Sequence, residues 1–287
     1  MQPLAALPPG AWRDVGGVFT DIDDTLTTEG AITPGALTAL QALRDDGVRV
    51  IAVTGRPVGW SEPFALSWPM DAIVAENGAV ALIGPHGPTV AVDAINSQNS
   101  PQRTPHQRKQ LSKLYQYDTD TRQRHFVHLQ QVAARILREV PGAQRAQDSP
   151  GRETDIAVDH SEFTHLSEAQ IAQVVALMRA EGLHATVSSI HINGWLGGHN
   201  KWQGACWIAR TLLGVDDLRA QQQRWVFIGD STNDQTMFEQ FTNSVGVANI
   251  ARFADRLRHL PRYVTPSERG AGFAEMARAL LAQRAGA

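Results

Sequence analysis

Acidic side chains follow two apolar segments of the chain that are typical of buried strands. Asp21 and Asp23 come directly after the first of these segments, and Asp230 and Asp234 come after one much later in the chain. Functional groups of a parallel sheet lie beyond the carboxyl ends of its strands. We therefore expect these four carboxylates to converge in one pocket. Carboxylates so close together repel one another unless a cation lies among them, and an all-oxygen ligand set favours Mg²⁺.

The spacing of the first pair predicts two different roles. Asp21 and Asp23 are two residues apart, so in an extended or turning segment both can point into the same space. One carboxylate could then attack phosphorus, while the other protonates the leaving oxygen and afterwards activates water. Thr54, after the second predicted strand, and Lys201, at a predicted helix start, would hold the phosphoryl oxygens. These residues predict phosphoryl-transfer chemistry.

Other polar residues near the same strand ends are candidates for binding phosphate or substrate. They are Thr25, Gly55, Arg56, Asn77 and Asn233. Some of these positions also have structural interpretations. Asn77 begins a plain Asn-Gly turn pair, and the residues after Asp230 could cap a helix. Lys201 could face solvent, and one cysteine with ten histidines that lack ligand spacing argues against a zinc site.

Hydrophobic periodicity predicts alternating strands and helices in the first and last parts of the chain. The predicted strands there cover 15–20, 48–53, 72–75, 79–83, 225–228 and 244–247. The predicted helices cover 34–46, a segment after Pro57, 201–213, 233–241 and 272–284. Alternation of this kind is typical of a parallel α/β sheet.

The pattern changes between residues 85 and 195. Residues 93–117 are rich in Gln, Ser, Asn and Arg and predict a loop or linker. Beyond them we predict helices at 121–139 and 167–181, and short strands at 143–146, 154–158, 185–188 and 190–193. We expect an α+β insertion that returns through a glycine-rich hinge at 194–198. Its polar and aromatic residues could bind a sugar, although each alone is more often structural: Arg152, Glu153, His191, Asn193 and Trp195.

At this point the sequence resembles a known family. Four motifs in order are similar to those of the haloacid dehalogenase superfamily of phosphatases: Asp21-x-Asp23-x-Thr25, Thr54, Lys201 and Gly229-Asp230-x-x-Asn233-Asp234. The insertion lies between the second and third motifs and resembles the cap of subclass IIB, which includes Cof-type sugar phosphatases and sucrose phosphatase. The resemblance implies an α/β fold with a Rossmann-like parallel core at 12–85 and 195–287 and an inserted α+β cap at 86–194.

The resemblance also implies an activity. It indicates a Mg²⁺-dependent phosphomonoester hydrolase for a small phosphorylated metabolite, such as a sugar phosphate, that works through an aspartyl phosphate. Asp21 would be the nucleophile and Asp23 the general acid and base. Asp21, the carbonyl of Asp23 and Asp230 would hold Mg²⁺, supported by Asn233 and Asp234. Thr54 and Lys201 would bind the phosphoryl group.

The composition is that of an ordinary globular protein. The chain has 287 residues, of which 43% are hydrophobic and 19% charged, and this excludes a disordered, collagen-like or coiled-coil chain. No apolar run is long enough to cross a bilayer and no secretory signal is visible. Cys206 is the single cysteine and cannot form an internal disulfide. We therefore expect a cytoplasmic protein without a membrane partner.

The formal net charge of −3 conceals one basic segment. Residues 101–152 contain ten Lys and Arg against four Asp and Glu. Such a segment could face an anionic substrate or a nucleic acid, or it could be a solvated helix face. Nucleic-acid binding is the weaker of these interpretations, because aromatic residues are sparse in the segment.

Two other functions remain open. One is a phosphomutase of the same superfamily, which would differ by releasing no net phosphate. The other is a non-catalytic phosphate-sensing protein akin to a receiver domain. Receivers are much shorter and lack a second acid two residues after the phosphorylated aspartate.

Overall fold

The computed structural model describes residues 1–88 and 111–285. In chain order the strands are β1 (Gln2–Pro3), β2 (Gly17–Thr20), β3 (Thr27–Thr28), β4 (Ala31–Ile32), β5 (Arg49–Val53), β6 (Ala72–Ala75), β7 (Val80–Ile83), β8 (Ser112–Tyr115), β9 (Gln144–Arg145), β10 (Asp155–Asp159), β11 (His184–Val187), β12 (His191–Trp195), β13 (Trp225–Gly229), β14 (Ser244–Gly246) and β15 (Tyr263–Val264). The α-helices are α1 (Pro34–Asp45), α2 (Val58–Ser67), α3 (Thr119–Glu139), α4 (Glu168–Ala180), α5 (Lys201–Leu213), α6 (Gln235–Gln240) and α7 (Arg269–Ala285). Within these residues, none of the helices combines the length and the apolar composition that a membrane crossing requires.

A large sheet carries the strands that the motifs follow. Its strand order is β1-β15-β14-β13-β2-β5-β6-β7-β8. The pairs from β1 through β6 are parallel, and β7 and β8 are added antiparallel at one edge. Strand β2 lies between β13 and β5, so the three motif-bearing strand ends are neighbours. The predicted α/β fold with a mainly parallel sheet is confirmed.

Both faces of this sheet are buried, as expected for parallel strands covered by helices. Successive residues of β2 and β13 alternate between the two faces. Val18 and Val226 pack in the cluster that contains residues of α1 and α7, whereas Phe19 and Phe227 pack in the cluster that contains residues of α5 and α6. This alternation follows from the two-residue period of a strand. It leaves only the strand ends open to carry polar groups.

A second, antiparallel sheet has the order β11-β12-β10-β9. Helices α3 and α4 supply its apolar cover, with Ile136 and Val174 packed against Ile156 and Ile192. Helix α4 begins with a capping box. The Ser167 hydroxyl accepts from the Gln170 N–H, and the Gln170 side chain accepts from the Ser167 N–H. This sheet lies within the insertion predicted at 86–194, whose boundaries remain a prediction.

Strand β8 differs from the sequence prediction. Residues 93–117 were expected to form a loop or linker of the insertion, yet Ser112–Tyr115 pairs with β7 and extends the large sheet. Leu114 is its one fully buried side chain, so the segment has too weak an apolar pattern to predict a strand. The rest of the predicted loop, up to residue 110, lies outside the described residues.

Several helix ends follow local signals. Thr33 caps α1 through its hydroxyl, which accepts from the Ala36 N–H at 3.2 Å. Helix α5 occupies the predicted 201–213, and Gly214 ends it in the left-handed conformation with φ 65°. The helix predicted at 233–241 is shorter, because a 3₁₀ turn at Thr232–Asp234 precedes α6. Sequence patterns did not predict β1, β15 or the β3–β4 hairpin.

Helix α5 lies against the turn that follows β6, and two glycines make the contact. A Cβ on Gly204 would lie 2.5 Å from Gly78 Cα, and a Cβ on Gly78 would lie 2.5 Å from the Asn200 carbonyl oxygen. Backbone therefore meets backbone at this point. The contact sets the position of the first turn of α5, where Lys201 lies.

We predict opposite effects for two Gly→Ala substitutions in helices. Gly204→Ala should lower the free energy of unfolding by about 1–3 kcal/mol, since the added methyl group displaces the turn at Gly78. Gly35→Ala, in the first turn of α1, should raise it by up to about 1 kcal/mol, because nothing lies within 4 Å of the new Cβ. Urea unfolding measures both. Equal effects of the two substitutions would contradict the proposed backbone contact.

Candidate active site

Three motif residues meet in the buried centre of the site. The Lys201 ammonium lies 2.5 Å from Asp21 Oδ1 and 2.7 Å from Asp234 Oδ1. All three side chains are buried. The structure thus brings together residues from the first, third and fourth motifs.

Backbone hydrogen bonds fix these side chains at the strand ends. The Asp21 N–H donates to the Ile228 carbonyl at 2.9 Å and so extends the pairing of β2 with β13. Asp234 Oδ2 accepts from the N–H groups of Asp230 and Ser231, at 2.9 and 3.3 Å. Both oxygens of Asp234 are therefore engaged, one with the backbone and one with Lys201. This closes the turn after β13.

Asp230 has a free oxygen. Its Oδ2 accepts from Asn249 Nδ2 at 3.1 Å, whereas its buried Oδ1 has no hydrogen-bond partner in the described part of the chain. Asp21, Asp230 and Asp234 each place a carboxylate oxygen within 4.8 Å of the others. Asn249 also donates to the Asp24 carbonyl at 3.0 Å and so ties the two acidic loops together. Sequence reasoning missed Asn249, which belongs to none of the motifs.

The electrostatics of this cluster favour a cation. Burial raises the pKa of Asp21 to about 8, with Asp234 and Asp23 adding to the effect and Lys201 opposing it. Burial, followed by the charges of Asp21 and Asp234, raises the pKa of Asp230 well above its ordinary value. Three buried carboxylates lie around one ammonium, so their full ionisation requires further positive charge. The unpartnered Asp230 oxygen and the hard oxygen donors fit a divalent cation such as Mg²⁺.

Asp23 lies in a different environment. Arg56 Nε lies 2.9 Å from Asp23 Oδ1 and 3.0 Å from Asp23 Oδ2. The Asp23 carboxylate is outside the group of carboxylates around Lys201. The metal contact predicted for its carbonyl remains a prediction. Two acids that are two residues apart in sequence thus have different partners.

The remaining candidates from the sequence divide into two groups. Gly55, Arg56 and Asn233 line a cavity together with Asp21 and Asp23. Thr25, Thr54 and Asn77 do not line it. Thr54 is buried at the end of β5, where its hydroxyl accepts from the Arg56 N–H at 3.0 Å. Asn77 lies in a left-handed turn with φ 56°, and Thr25 Oγ1 is buried without a partner among the described residues.

The second sheet supplies the other wall of the cavity. Residues 188–190, which connect β11 to β12, lie over the acidic loops together with His191 and Asn193 of β12. The empty space measures about 280 Å³, part of it open to solvent. Two of the insertion residues named from sequence, His191 and Asn193, therefore lie at the site. The other three have structural contacts: Arg152 pairs with Asp155, Glu153 accepts from Tyr115, and Trp195 donates to the His199 carbonyl.

Two acidic residues of the insertion form ion pairs with Arg56, which lines the cavity. Its Nη1 lies 3.1 Å from Asp148 Oδ2 and its Nη2 lies 3.0 Å from Glu162 Oε1. Burial alone would raise the pKa of Glu162, but hydrogen bonds from His191 and Arg56 outweigh it and lower the pKa to about 2. Neither Asp148 nor Glu162 stands in a motif, so no sequence signal predicts their presence at the site.

Buried polar contacts hold the second sheet over the strand ends. Glu76 is fully buried, and its carboxylate accepts from the N–H groups of Glu153 and Thr154, at 2.9 and 2.5 Å. The Gly55 carbonyl accepts from Arg152 Nη1 at 3.0 Å and from Asn193 Nδ2 at 3.2 Å. The roof of the cavity therefore has a defined position over Asp21.

Ion pairs with acidic side chains of the same chain partly neutralise the basic segment at 101–152. Lys113 pairs with Glu62 and Glu153, Arg135 with Glu139 and Glu181, and Arg152 with Asp148 and Asp155. Arg103, Arg108 and Lys109 lie outside the described residues. These pairings favour a structural interpretation of the segment over a nucleic-acid surface.

Comparison with known proteins addresses the family. The model of the haloacid dehalogenase-like hydrolases matches residues 18–135. Over these residues the chain is similar to the haloacid dehalogenase-like hydrolases. The expected resemblance to this superfamily is confirmed by that match, which covers the first two of the four motifs. Solved structures of similar fold include a Cof-like hydrolase and a sucrose phosphatase. No match was found among curated proteins.

Three solved structures illustrate the shared fold. A Thermoplasma acidophilum protein has a TM-score of 0.66 at 13% identity, over 93% of this chain and 98% of its own. The sucrose phosphatase from Synechocystis, solved with sucrose and phosphate, has a TM-score of 0.61 at 14% identity, over 93% and 98%. A HAD/COF-like hydrolase from Plasmodium vivax has a TM-score of 0.60 at 14% identity, over 94% and 96%.

We predict that Mg²⁺ stabilises the protein more at pH 8 than at pH 6. At low pH the folded, metal-free protein keeps protons on Asp21 and Asp230, which the unfolded chain releases above about pH 4. Its stability therefore falls as the pH rises toward 8, and Mg²⁺ must displace these protons to bind. Millimolar MgCl₂ should raise the Tm by about 3–6 °C at pH 8 and by less at pH 6, measured by thermal unfolding at constant ionic strength.

Two variants test the assignment of this Mg²⁺ effect. Asp230→Asn should abolish the rise in Tm, whereas Asp120→Asn, which removes an exposed charge in the first turn of α3, should keep it. A full Mg²⁺ effect in Asp230→Asn would contradict a cation site in the acidic cluster.

Proposed function

We propose that this chain is a Mg²⁺-dependent phosphatase that hydrolyses phosphomonoesters of small metabolites, such as sugar phosphates. The observation that carries the proposal is the pair Asp21 and Asp23, which line one cavity but have different partners. Asp21 lies in the buried cluster with Lys201, and Asp23 faces Arg56 and the insertion. We assign attack on phosphorus to Asp21 and proton transfer to Asp23, which their different environments support.

The proposed reaction has two steps. In the first step Asp21 Oδ attacks phosphorus, a phosphorus–oxygen bond to the enzyme forms, and the bond to the leaving oxygen breaks while Asp23 gives that oxygen a proton. In the second step Asp23 takes a proton from water, and the water oxygen attacks phosphorus. The bond from phosphorus to the Asp21 oxygen breaks, which releases phosphate and restores the Asp21 carboxylate. Both oxygens of Asp23 contact Arg56 in the structure. One of them must turn to the leaving oxygen, so we infer that substrate binding loosens this contact.

The other residues position these two acids. Lys201 holds Asp21 and Asp234 together and supplies positive charge beside the phosphoryl group. Asp21, Asp230 and the carbonyl of Asp23 would hold Mg²⁺, which when bound would offset the charge between an anionic nucleophile and an anionic phosphate. Because both Asp234 oxygens are engaged, we assign Asp234 to positioning the other groups.

We also propose a cytoplasmic location. The chain has one cysteine, Cys206, and it is free in the structure. A chain that uses no disulfide suits a reducing compartment. Fractionation of the native cells with an antibody to the protein checks this.

Phosphate release is expected to require Asp21 and Mg²⁺. A panel of sugar phosphates, phosphoglycerates and p-nitrophenyl phosphate should yield inorganic phosphate with Mg²⁺ and none with EDTA. Asp21→Asn should lower kcat by at least about a thousandfold, since an amide cannot act as the nucleophile. Asp24→Asn is the matched control, because Asp24 pairs with Arg269 and its φ of 54° suits asparagine.

The outcome of that panel separates the alternatives. Transfer of the phosphoryl group between positions of one sugar without net phosphate release would indicate a phosphomutase. Binding of phosphate without turnover of any ester would indicate a phosphate-sensing protein.

We predict that Asp23→Asn discriminates between leaving groups. The rate of aspartyl-phosphate formation should fall by about a hundredfold or more for a sugar phosphate, whose alkoxide needs a proton, and far less for p-nitrophenyl phosphate. Because the second step also needs a base, the nitrophenyl ester should give a burst of about one equivalent followed by slow turnover. Rapid-quench kinetics measures both rates. Equal losses for the two esters would contradict the role of Asp23 as general acid.

A further inference from the structure

Each nitrogen of the Arg56 guanidinium contacts a carboxylate. Nε contacts Asp23, Nη1 contacts Asp148 and Nη2 contacts Glu162, at distances from 2.9 to 3.1 Å. The side chain is buried and its cation lies 4.8 Å from the centre of the Trp60 ring. Arg56 is also the one permanently charged cation among the residues that line the cavity in the described part of the chain. Nη1 and Nη2 are therefore already paired with acids of the insertion when an anion enters.

Glu162 is held rigidly in this arrangement. Its Oε2 lies 2.7 Å from Nε2 of His191, which is buried and lines the cavity. The loop that carries it is fixed by Asp159, whose carboxylate accepts from the four N–H groups of residues 161–164 at 2.8–3.1 Å. Glu162 is thus built into the wall beside the cavity.

Acidic side chains outnumber basic ones on the side of the site that faces the insertion. On the side of the insertion, Asp23, Asp148 and Glu162 surround the single guanidinium of Arg56. Arg152 does not correct this excess, since it is paired with Asp155 at 2.7 Å as well as with Asp148. The leaving group of a phosphate ester would lie on this side, because Asp23 must reach its oxygen.

Resting on the proposed function, we propose that Glu162 sets the substrate class: phosphate esters whose leaving group is uncharged and bears hydroxyl groups are accepted, and esters with a second anionic group are rejected. Hydroxyl groups can donate to the carboxylates, whereas a carboxylate or second phosphate meets like charge and finds Nη1 and Nη2 of Arg56 already paired. Repulsion between two like charges several ångströms apart in a partly buried site weakens the binding of the charged ester by about tenfold or more.

Matched pairs of esters test this inference. The pairs are glucose 6-phosphate with 6-phosphogluconate, and glycerol 3-phosphate with 3-phosphoglycerate, each differing by one carboxylate. We expect the wild-type kcat/KM to favour the neutral member by about tenfold or more. Glu162→Gln removes the charge and frees Arg56 Nη2, so this preference should fall at least about fivefold. The ratio of the kcat/KM values for two substrates does not depend on the fraction of the protein that is folded, because that fraction enters both values equally.

Further variants make the test independent of one substitution. Asp148→Asn should shift the ratio in the same direction, because it also releases an Arg56 donor. Glu139→Gln, which breaks only an exposed pair with Arg135 on α3 and leaves the cavity lining untouched, should leave the ratio at the wild-type value. Equal kcat/KM of the wild type for both members of a pair would overturn this inference and leave the proposed function standing. An unchanged ratio of kcat/KM in both Glu162→Gln and Asp148→Asn would do the same. No phosphate release from any member would overturn the proposed function, and this inference with it.

Discussion

Burial of negative charge at the carboxyl edge of the large sheet is the constraint on which the site depends. Asp21 and Asp234 are both buried, and one ammonium, that of Lys201, contacts them from a helix that begins 180 residues after Asp21. Loss of one partner from such a group leaves an uncompensated buried charge, which is strongly destabilising. The position of α5 is therefore as important as the carboxylates themselves. The backbone contact of Gly204 with Gly78 provides it, since no side chain intervenes that could repack.

The second sheet is attached by a different kind of contact. Glu76 and the Gly55 carbonyl accept hydrogen bonds from the insertion, and Arg56 joins its acids to Asp23. Polar groups that lose these partners can turn to water, whereas separated apolar surfaces cannot. The apolar cluster of the second sheet is formed by its own strands with α3 and α4. The two sheets can therefore separate to admit a substrate without opening either core, and the polar contacts restore one orientation on closure.

The sequence predicted those features that depend on local signals. Acids at strand ends, the caps at Thr33 and Ser167, and the full length of α5 follow from neighbouring residues. Strand β8 and the β3–β4 hairpin were missed because two to four residues carry too little pattern to be recognised. Asn249, Asp148 and Glu162 were missed for another reason. Each is an ordinary polar residue in its own segment, and only the approach of a distant segment gives it a partner in the site.

These missed residues differ in kind from the residues of the four motifs. The acids around Lys201 stand in motifs, because attack on phosphorus makes the same demand whatever the ester. Asp148 and Glu162 stand in none, and under the proposed function they lie on the side of the leaving group, which varies between substrates. Binding free energy that differs between substrates arises from such contacts, whereas contacts with the common phosphoryl group contribute equally to all of them. Under the proposed function, substrate choice therefore depends on the few contacts between Arg56 and the insertion, because the motif residues contact the part that all substrates share.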